Sequence, residues 1–360
     1  MNSEMYIEKD NIKKFLKVKK QRKYKKLILL LFLTGTVIAA SLSAVVFMYF
    51  TSAPKADYVL KNRFTHFYST DDNQLYCPAF ARNLAVVDAD SSEAQNFPPG
   101  AGLICRVGGE RSLFSKNAFK KMQPASITKI MTALVALKYG NLSDEVVVGE
   151  EVYVNEKGTS MAGLNPGDRL TLEQLLYGML LPSGNDAAKA IAVHVGGTQE
   201  HFVEMMNHEA QALLAVDTHF TNPHGLSDDE HYTTAYDLYL IFNEAIKYPE
   251  FRTVAGSKEY KGQYLDKTGN TVSALWKNSN VYLKDASELD AEMTQAVKLN
   301  PGISIFAGKT GTTAAAGKCL IVGSSYTDGS EYIAVVLKAD VNTADSLYKN
   351  MSRLLNKIAN

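Results

Sequence analysis

Ser126 and Lys129 stand three residues apart at the head of an almost wholly apolar stretch, PASITKIMTALVALKYG, residues 124–140. On a helix, positions i and i+3 share a face, so the serine hydroxyl and the lysine amine can meet. An ammonium in such apolar surroundings loses hydration, which pushes its pKa down from about 10.4 towards neutrality and frees an amine to act as a base. Lys129 can then take the hydroxyl proton while Ser126 attacks a carbonyl. The positive end of the helix and its free N–H groups lie beside the oxyanion that forms. The bland alternative is a lysine whose stem lies on a core helix and whose head reaches water. A chain this rich in lysine should show roughly one such spacing by chance.

Two further groups of residues bear on that choice. Ser183-Gly184-Asn185 falls on a tight turn between two helical stretches. There it offers a hydroxyl that can relay a proton and an amide that can grip a peptide carbonyl, although taken alone it is an ordinary turn. Lys-Thr-Gly occurs twice, at 267–269 and 309–311. The first copy lies in YLDKTGNTVSALW and reads as an exposed hairpin turn. The second, in FAGKTGTTAAAGKCLIVGSS, has the small residues expected where a sheet edge approaches a substrate closely. Lys309 and Thr310 on an edge strand suit a substrate carboxylate, and the strand backbone can pair with an extended peptide.

The elements that must position these groups are legible from periodicity and turn signals. ARNLAVVDA is a short strand candidate, and AGLICRV and RSLFSKN flank a glycine turn as a hairpin. The Ser126 helix ends at Gly140-Asn141. A capping box from Thr171 to Gln174 opens a helix that stops at Pro182, and NDAAKAIAVHVGG starts the next. Further helices are predicted in HFVEMMNHEAQALLAV and TAYDLYLIFNEAIK. Strand patterns follow in GNTVSALWKNSN, KCLIVGSSY and EYIAVVLKA, before a closing helix in ADSLYKNMSRLLNKI. The order predicts an α/β fold: an antiparallel sheet formed from both ends of the catalytic region, flanked by helices, with an all-α lobe inserted in the middle.

Composition sets the surroundings. The formal charge is zero, yet residues 1–26 carry ten Lys/Arg against three Asp/Glu, which leaves 28 basic and 35 acidic residues beyond them. A mildly acidic body argues against a nucleic-acid partner. Residues 27–50 hold no charge over 24 positions, enough for a single transmembrane helix. The basic residues before it put the N-terminus in the cytoplasm and everything after Thr51 outside. A cleaved signal peptide ending near Ala40 to Ala44 is the alternative. The predicted organisation is a basic cytoplasmic tail 1–26, a membrane helix 27–50, a spacer 51–80 and an extracytoplasmic catalytic domain 81–360. Cys77, Cys105 and Cys319 are too few and scattered for a disulfide scaffold; one bridge is compatible with an extracytoplasmic location, and buried or unpaired thiols are the alternative. His224 and His231, flanked by Asp228, Asp229 and Glu230, would be the ligands of a zinc peptidase. The His-Glu-x-x-His spacing of such sites does not occur, and His224 is expected to orient a loop. His201 and His208, two helical turns apart, belong on a solvated face.

In the order Ser-x-x-Lys, Ser-x-Asn, Lys-Thr-Gly, the motifs resemble the set of penicillin-binding proteins and serine β-lactamases. PASITKIMTALVAL, LNPGDRLTLEQLLYGMLLPSGNDAA, TNPHGLSDDEHYTTAYDL and AGKTGTTAAAGKCL are similar to the D-alanyl-D-alanine carboxypeptidases, low-molecular-mass penicillin-binding serine peptidases. The resemblance covers the chain from about Ala101 to its end. It implies a β-lactamase/transpeptidase-like fold and removal of the terminal D-alanine from peptidoglycan stem pentapeptides ending in D-Ala-D-Ala, with β-lactams as covalent inhibitors and no cofactor. On that resemblance Ser126 is the acylated nucleophile, Lys129 its base, and Ser183 the relay to the departing amine. Asn185 would hold a substrate carbonyl, Lys309, Thr310 and Gly311 the carboxylate end, and the N–H groups of Ser126 and Thr312 the oxyanion.

The chain departs from related patterns in three ways. Glycine stands in the middle motif where class A β-lactamases usually have aspartate, and HFTNPHGLS holds no deacylating carboxylate, so fast β-lactam hydrolysis is not expected. The stretch after the last strand, VLKADVNTADS, lacks the arginine that some members use for the carboxylate, leaving that role to Lys338 or a remote residue. No amphipathic anchor is expected beyond the catalytic region. A serine β-lactamase and a non-catalytic or sensory penicillin-binding protein are the competing functions. The choice between the two Lys-Thr-Gly copies is tested directly: Lys267→Ala should leave Ser126 acylation by penicillin nearly unchanged while Lys309→Ala should slow it, and the reverse outcome reassigns the motif.

Overall fold

The computed structural model describes residues 84–359 other than 88, 110, 155, 157, 158, 342, 344 and 345. These residues lie in one compact unit, Ala79–Asn360. The predicted tail, membrane helix and spacer, and Cys77, fall outside the described residues.

In chain order the elements begin with strands β1 (Ala101–Arg106) and β2 (Ser112–Lys116), then helix α1 (Lys129–Tyr139) and strands β3 (Glu145–Val147) and β4 (Arg169–Thr171). Helices α2 (Leu172–Leu180), α3 (Asn185–Gly196), α4 (Gln199–Ala212), α5 (Ala235–Ala245) and α6 (Pro249–Gly256) come next. Strands β5 (Glu259–Leu265) and β6 (Thr271–Lys277) and helix α7 (Ala291–Ala296) precede β7 (Ser304–Thr313), β8 (Gly317–Ser325), β9 (Glu331–Ala339) and α8 (Ser346–Leu355).

The main sheet runs β2-β1-β9-β8-β7, every neighbouring pair antiparallel, so its strands come from the two ends of the described chain, as the strand pattern predicts. Period-two alternation sorts its side chains. Leu103, Cys105, Ile321, Ile333, Val335 and Leu337 pack with α1 and α5 on one face. Ile104, Leu320, Val322, Ala334 and Val336 pack with Met351, Leu354 and Leu355 of α8 on the other. Both described cysteines are buried free thiols in this sheet, and burial pushes each up to about 12. Strand β7, which carries Lys309, is an edge.

The inserted region is not all-α. It holds a second antiparallel sheet, β3-β4-β5-β6, in which the strand predicted from GNTVSALWKNSN is β6. The strands β3 and β4 have three residues each, too few to show a period, and β4 meets β5 through the single pair Arg169↔Leu265. This sheet supports α2 through an aromatic stack: Tyr177 lies 4.3 Å from Tyr260, and Tyr260 5.6 Å from Trp276, between ring centroids. The capping box at the start of α2 forms as predicted, Thr171 Oγ1 accepting from Gln174 N and Gln174 Oε1 from Thr171 N. Among the described residues of ARNLAVVDA there is no strand, only an isolated bridge between Val86 and Arg111. The first Lys-Thr-Gly is the exposed β5–β6 hairpin turn. Asp266 Oδ1 accepts from the N–H groups of Thr268 and Asn270 and Gly269 sits at φ +85°.

Candidate active site

Ser126 lies in a 3₁₀ turn, Ala125–Thr128, that leads into α1, rather than within the α-helix itself. A 3₁₀ turn repeats every three residues, so it stacks residue i over i+3 more closely than an α-helix does. Lys129 Nζ lies 3.0 Å from Ser126 Oγ. The turn is entered through Ala125 at φ +50°, a left-handed conformation that costs a non-glycine residue energy and persists where neighbours enforce it.

The neighbours are identifiable. Thr128 Oγ1 donates to Ala125 O at 2.9 Å and lies 2.8 Å from His231 Nε2. His231 Nδ1 accepts from Thr221 N at 3.0 Å, so Nε2 carries the ring proton and donates to Thr128. Thr132 Oγ1 donates to Pro223 O at 2.6 Å, and Asn222 Oδ1 accepts from the N–H groups of His224 and Gly225. The loop from Thr221 to His231 is therefore strapped to the Ser126 turn. Gly225, at φ +85°, lies so close that an added Cβ would stand 1.9 Å from Ala125 O.

Lys129 is fully buried, and its amine also reaches Asn185 Oδ1 at 2.6 Å and the His224 carbonyl at 2.7 Å. Burial first, then the charge of Lys309, holds its pKa well below the ordinary lysine value, against the opposing charge of Asp186. A neutral amine has two N–H groups and one lone pair. The two carbonyl-type oxygens take the N–H groups, which leaves the lone pair to accept the Ser126 O–H. With Oδ1 engaged, the Asn185 amide keeps its NH₂ for another acceptor.

Asn185 opens α3, after Ser183 at φ +67°. The turn is pinned by Gly184 N donating to Gly178 O and Asn185 N to Ser160 O. Asp186, fully buried, accepts from the N–H groups of Ala162, Gly163 and Leu164, and Trp276 Nε1 donates to Ala162 O, which fastens the 160–164 loop beside the turn. Ser183 Oγ is buried and has no hydrogen-bond partner among the described residues.

The third motif arrives on β7. An added Cβ on Gly311 would stand 3.0 Å from Ser126 N and 2.9 Å from Pro124 O, so glycine is what allows the strand to approach the Ser126 turn. Lys309 is 2% exposed, burial pulls its pKa to about 7, and its Nζ donates to Thr310 O. A bound carboxylate would restore its charge. Thr310 Oγ1 lies 2.6 Å from Ser279 Oγ, and Thr312 is exposed. The second Lys-Thr-Gly thus meets the Ser126 turn, while Lys267 stands on the exposed hairpin.

Against this geometry, comparisons with known proteins are decisive. The family profile described as D-alanyl-D-alanine carboxypeptidase matches residues 100–341. The chain belongs to the D-alanyl-D-alanine carboxypeptidase family. Relatives bearing that name include DacF of Bacillus subtilis, 33% identical over 254 residues that cover 69% of this chain and 59% of that one. DacC of Escherichia coli is 30% identical, over 74% of this chain and 61% of that one. The match thus spans less than two thirds of each of these relatives. Among solved structures the DD-transpeptidase of Streptomyces K15 superposes with a TM-score of 0.63 at 29% identity, over 76% of this chain and all of that one.

Family motifs did not point to Asp186, Thr128, Gly225 or Ser279. The main-chain carbonyl of His224 is invisible to any side-chain pattern. His224 and His231 each hydrogen-bond within the loop, His224 Nδ1 accepting from Leu226 N. Burial lowers them from about 6.5 to about 3 and about 4 respectively. Below pH about 6.5 the unfolded chain therefore binds more protons than the folded one. The stabilisation present above that pH is lost as pH falls through the folded values. Urea unfolding from about pH 7 to about pH 4 should show stability falling by up to about 1.4 kcal/mol per pH unit for each imidazole, and His231→Asn should flatten the slope. An unchanged slope in the variant contradicts a buried neutral His231. Gly225→Ala should cost about 2 kcal/mol or more, seen as a lowered Tm, whereas wild-type stability would show that the loop does not press on Ala125.

Proposed function

We propose that the protein is a serine-type D-Ala-D-Ala carboxypeptidase that removes the terminal D-alanine of peptidoglycan stem pentapeptides through an acyl-enzyme on Ser126. The observation that carries this reading is the contact of a fully buried Lys129 amine with Ser126 Oγ, Asn185 Oδ1 and the His224 carbonyl.

In the proposed cycle the Lys129 lone pair takes the Ser126 proton as Oγ attacks the carbonyl of the penultimate D-alanine. The backbone N–H groups of Ser126 and Thr312 hold the oxyanion, and the Asn185 amide donates to a substrate carbonyl upstream. Ser183, whose hydroxyl has no hydrogen-bond partner among the described residues, passes a proton to the departing D-alanine nitrogen, and Lys129 resupplies it. Water then attacks the acyl carbonyl with Lys129 accepting its proton, and as the ester bond breaks Lys129 returns that proton to Ser126 Oγ, which releases the shortened peptide as its carboxylate and restores the free enzyme. Lys309 and Thr310 hold the terminal carboxylate, and Gly311 keeps the strand at the right depth. A β-lactam, whose strained amide presents a comparable carbonyl, would acylate Ser126 and remain.

The same reading makes the chain a single-pass membrane protein with a cytoplasmic basic tail 1–26 and its catalytic region 81–360 outside. What supports this is the uncharged run 27–50 behind ten basic residues. Among the described residues no helix is long and apolar enough to cross a membrane.

A synthetic peptide ending in D-Ala-D-Ala should release free D-alanine with the purified protein, and fluorescent penicillin should label it. Ser126→Ala should abolish both with the fold intact, and Lys129→Ala should slow acylation by about 10² to 10⁴. Labelling that persists in Ser126→Ala assigns the nucleophile elsewhere.

A further inference from the structure

Beside β7 lies a loop that no motif includes. After β6 the chain runs Asn278-Ser279-Asn280, in which the asparagines are 3% and 0% exposed and the serine between them is half-buried. Asn278 Nδ2 donates to Ser257 O at 2.8 Å, its backbone N–H to Lys258 O at 2.8 Å, and its Oδ1 accepts from Asn280 N at 2.9 Å. Asn280 Oδ1 accepts from Tyr282 N. Ser279 N donates to Leu181 O at 3.0 Å, two residues before Ser183. The backbone of Ser279 is thus clamped from both sides.

The loop meets β7 at two places on one strand face. Thr310 lies with its hydroxyl 2.6 Å from Ser279 Oγ, and Gly308, two residues earlier, faces Asn280, whose Nδ2 would stand 2.6 Å from an added Cβ. Residues i and i+2 share a face, so Gly308 sets the depth and Thr310 receives the serine.

Two hydroxyls carry two protons, and their mutual bond uses one. Among the described residues neither hydroxyl makes another hydrogen bond, so one O–H stays available. When Ser279 donates to Thr310, it polarises the Thr310 O–H and strengthens it as a donor. Lys309, 2% exposed, donates its amine to the Thr310 carbonyl, whereas Ser279 and Thr310 are both half-buried.

We infer that Ser279 is a specificity-determining residue: with Thr310 it forms a hydroxyl pair that recognises the C-terminal carboxylate of the substrate. This rests on the acyl-transfer reading of Ser126 and adds to it the residue that orients the Thr310 donor.

The test compares a benzoyl-D-alanyl thioester whose leaving group bears a free carboxylate with its methyl ester, in wild type, Ser279→Ala and Ser279→Thr. Ser279→Ala should lower kcat/KM for the free carboxylate about tenfold, mostly through KM, and leave the methyl ester unchanged. Ser279→Thr, which keeps a hydroxyl, should recover most of the loss. An equal loss on both thioesters makes Ser279 a loop-holding residue only, and no loss on either leaves the pair without a role; both results overturn the inference. Wild-type protein that turns over neither thioester and takes no penicillin label removes the acyl-transfer reading, and this inference with it.

Discussion

An amine buried without a carboxylate in contact is the constraint around which the structure is arranged. An isolated ammonium in a protein interior is costly, and such a group responds by giving up its proton. Lys129 is fully buried, and among the described residues its amine touches a hydroxyl, an amide oxygen and a main-chain carbonyl. Asp186 acts on it only at longer range, through charge. Three oxygen partners around a neutral amine satisfy both N–H groups and direct its lone pair to Ser126. The arrangement that makes the lysine tolerable in the core also fits it for the role of base in the proposed cycle.

Each partner of that amine comes from a different part of the chain, which explains why the surrounding elements must meet so closely. Ser126 comes from the 3₁₀ turn, Asn185 from the start of α3, and the carbonyl from the His224 loop. Two glycines mark close approaches at the Ser126 turn, Gly225 under the Ala125 carbonyl and Gly311 against the Ser126 amide. The main sheet supplies a free edge at β7. The second sheet holds α2 and, through Trp276, the 160–164 loop that flanks the Ser183 turn. Two of the five non-glycine residues at positive φ among the described residues, Ala125 and Ser183, lie in the turns that present Ser126 and Asn185.

What the sequence disclosed follows from the range of the interactions involved. The Thr171 capping box, the β1–β2 hairpin and the exposed Asp266–Asn270 turn are set by neighbours a few residues apart, and each is present. β8 and β9 read as near-continuous apolar runs because both faces of that sheet are buried by different helices. The second sheet was hidden because β3 and β4 are three residues long and are held by pairing partners rather than by their own pattern. In the site, motif spacing brought forward Ser126, Lys129, Asn185 and the Lys309 strand. His231, Gly225 and Ser279 act on residues 103, 100 and 31 positions away, across contacts that leave no local signature.

The charge state of Lys129 is the claim on which the rest stands, and it can be observed without substrate. Protein carrying ¹³C at the lysine ε-carbons, with the Lys129 resonance assigned by its loss in Lys129→Arg, can be titrated by NMR. Lys129 should convert from ammonium to amine at pH values well below the ordinary lysine pKa of about 10.4. A Lys129 signal that titrates together with the surface lysines, or after them, contradicts the account.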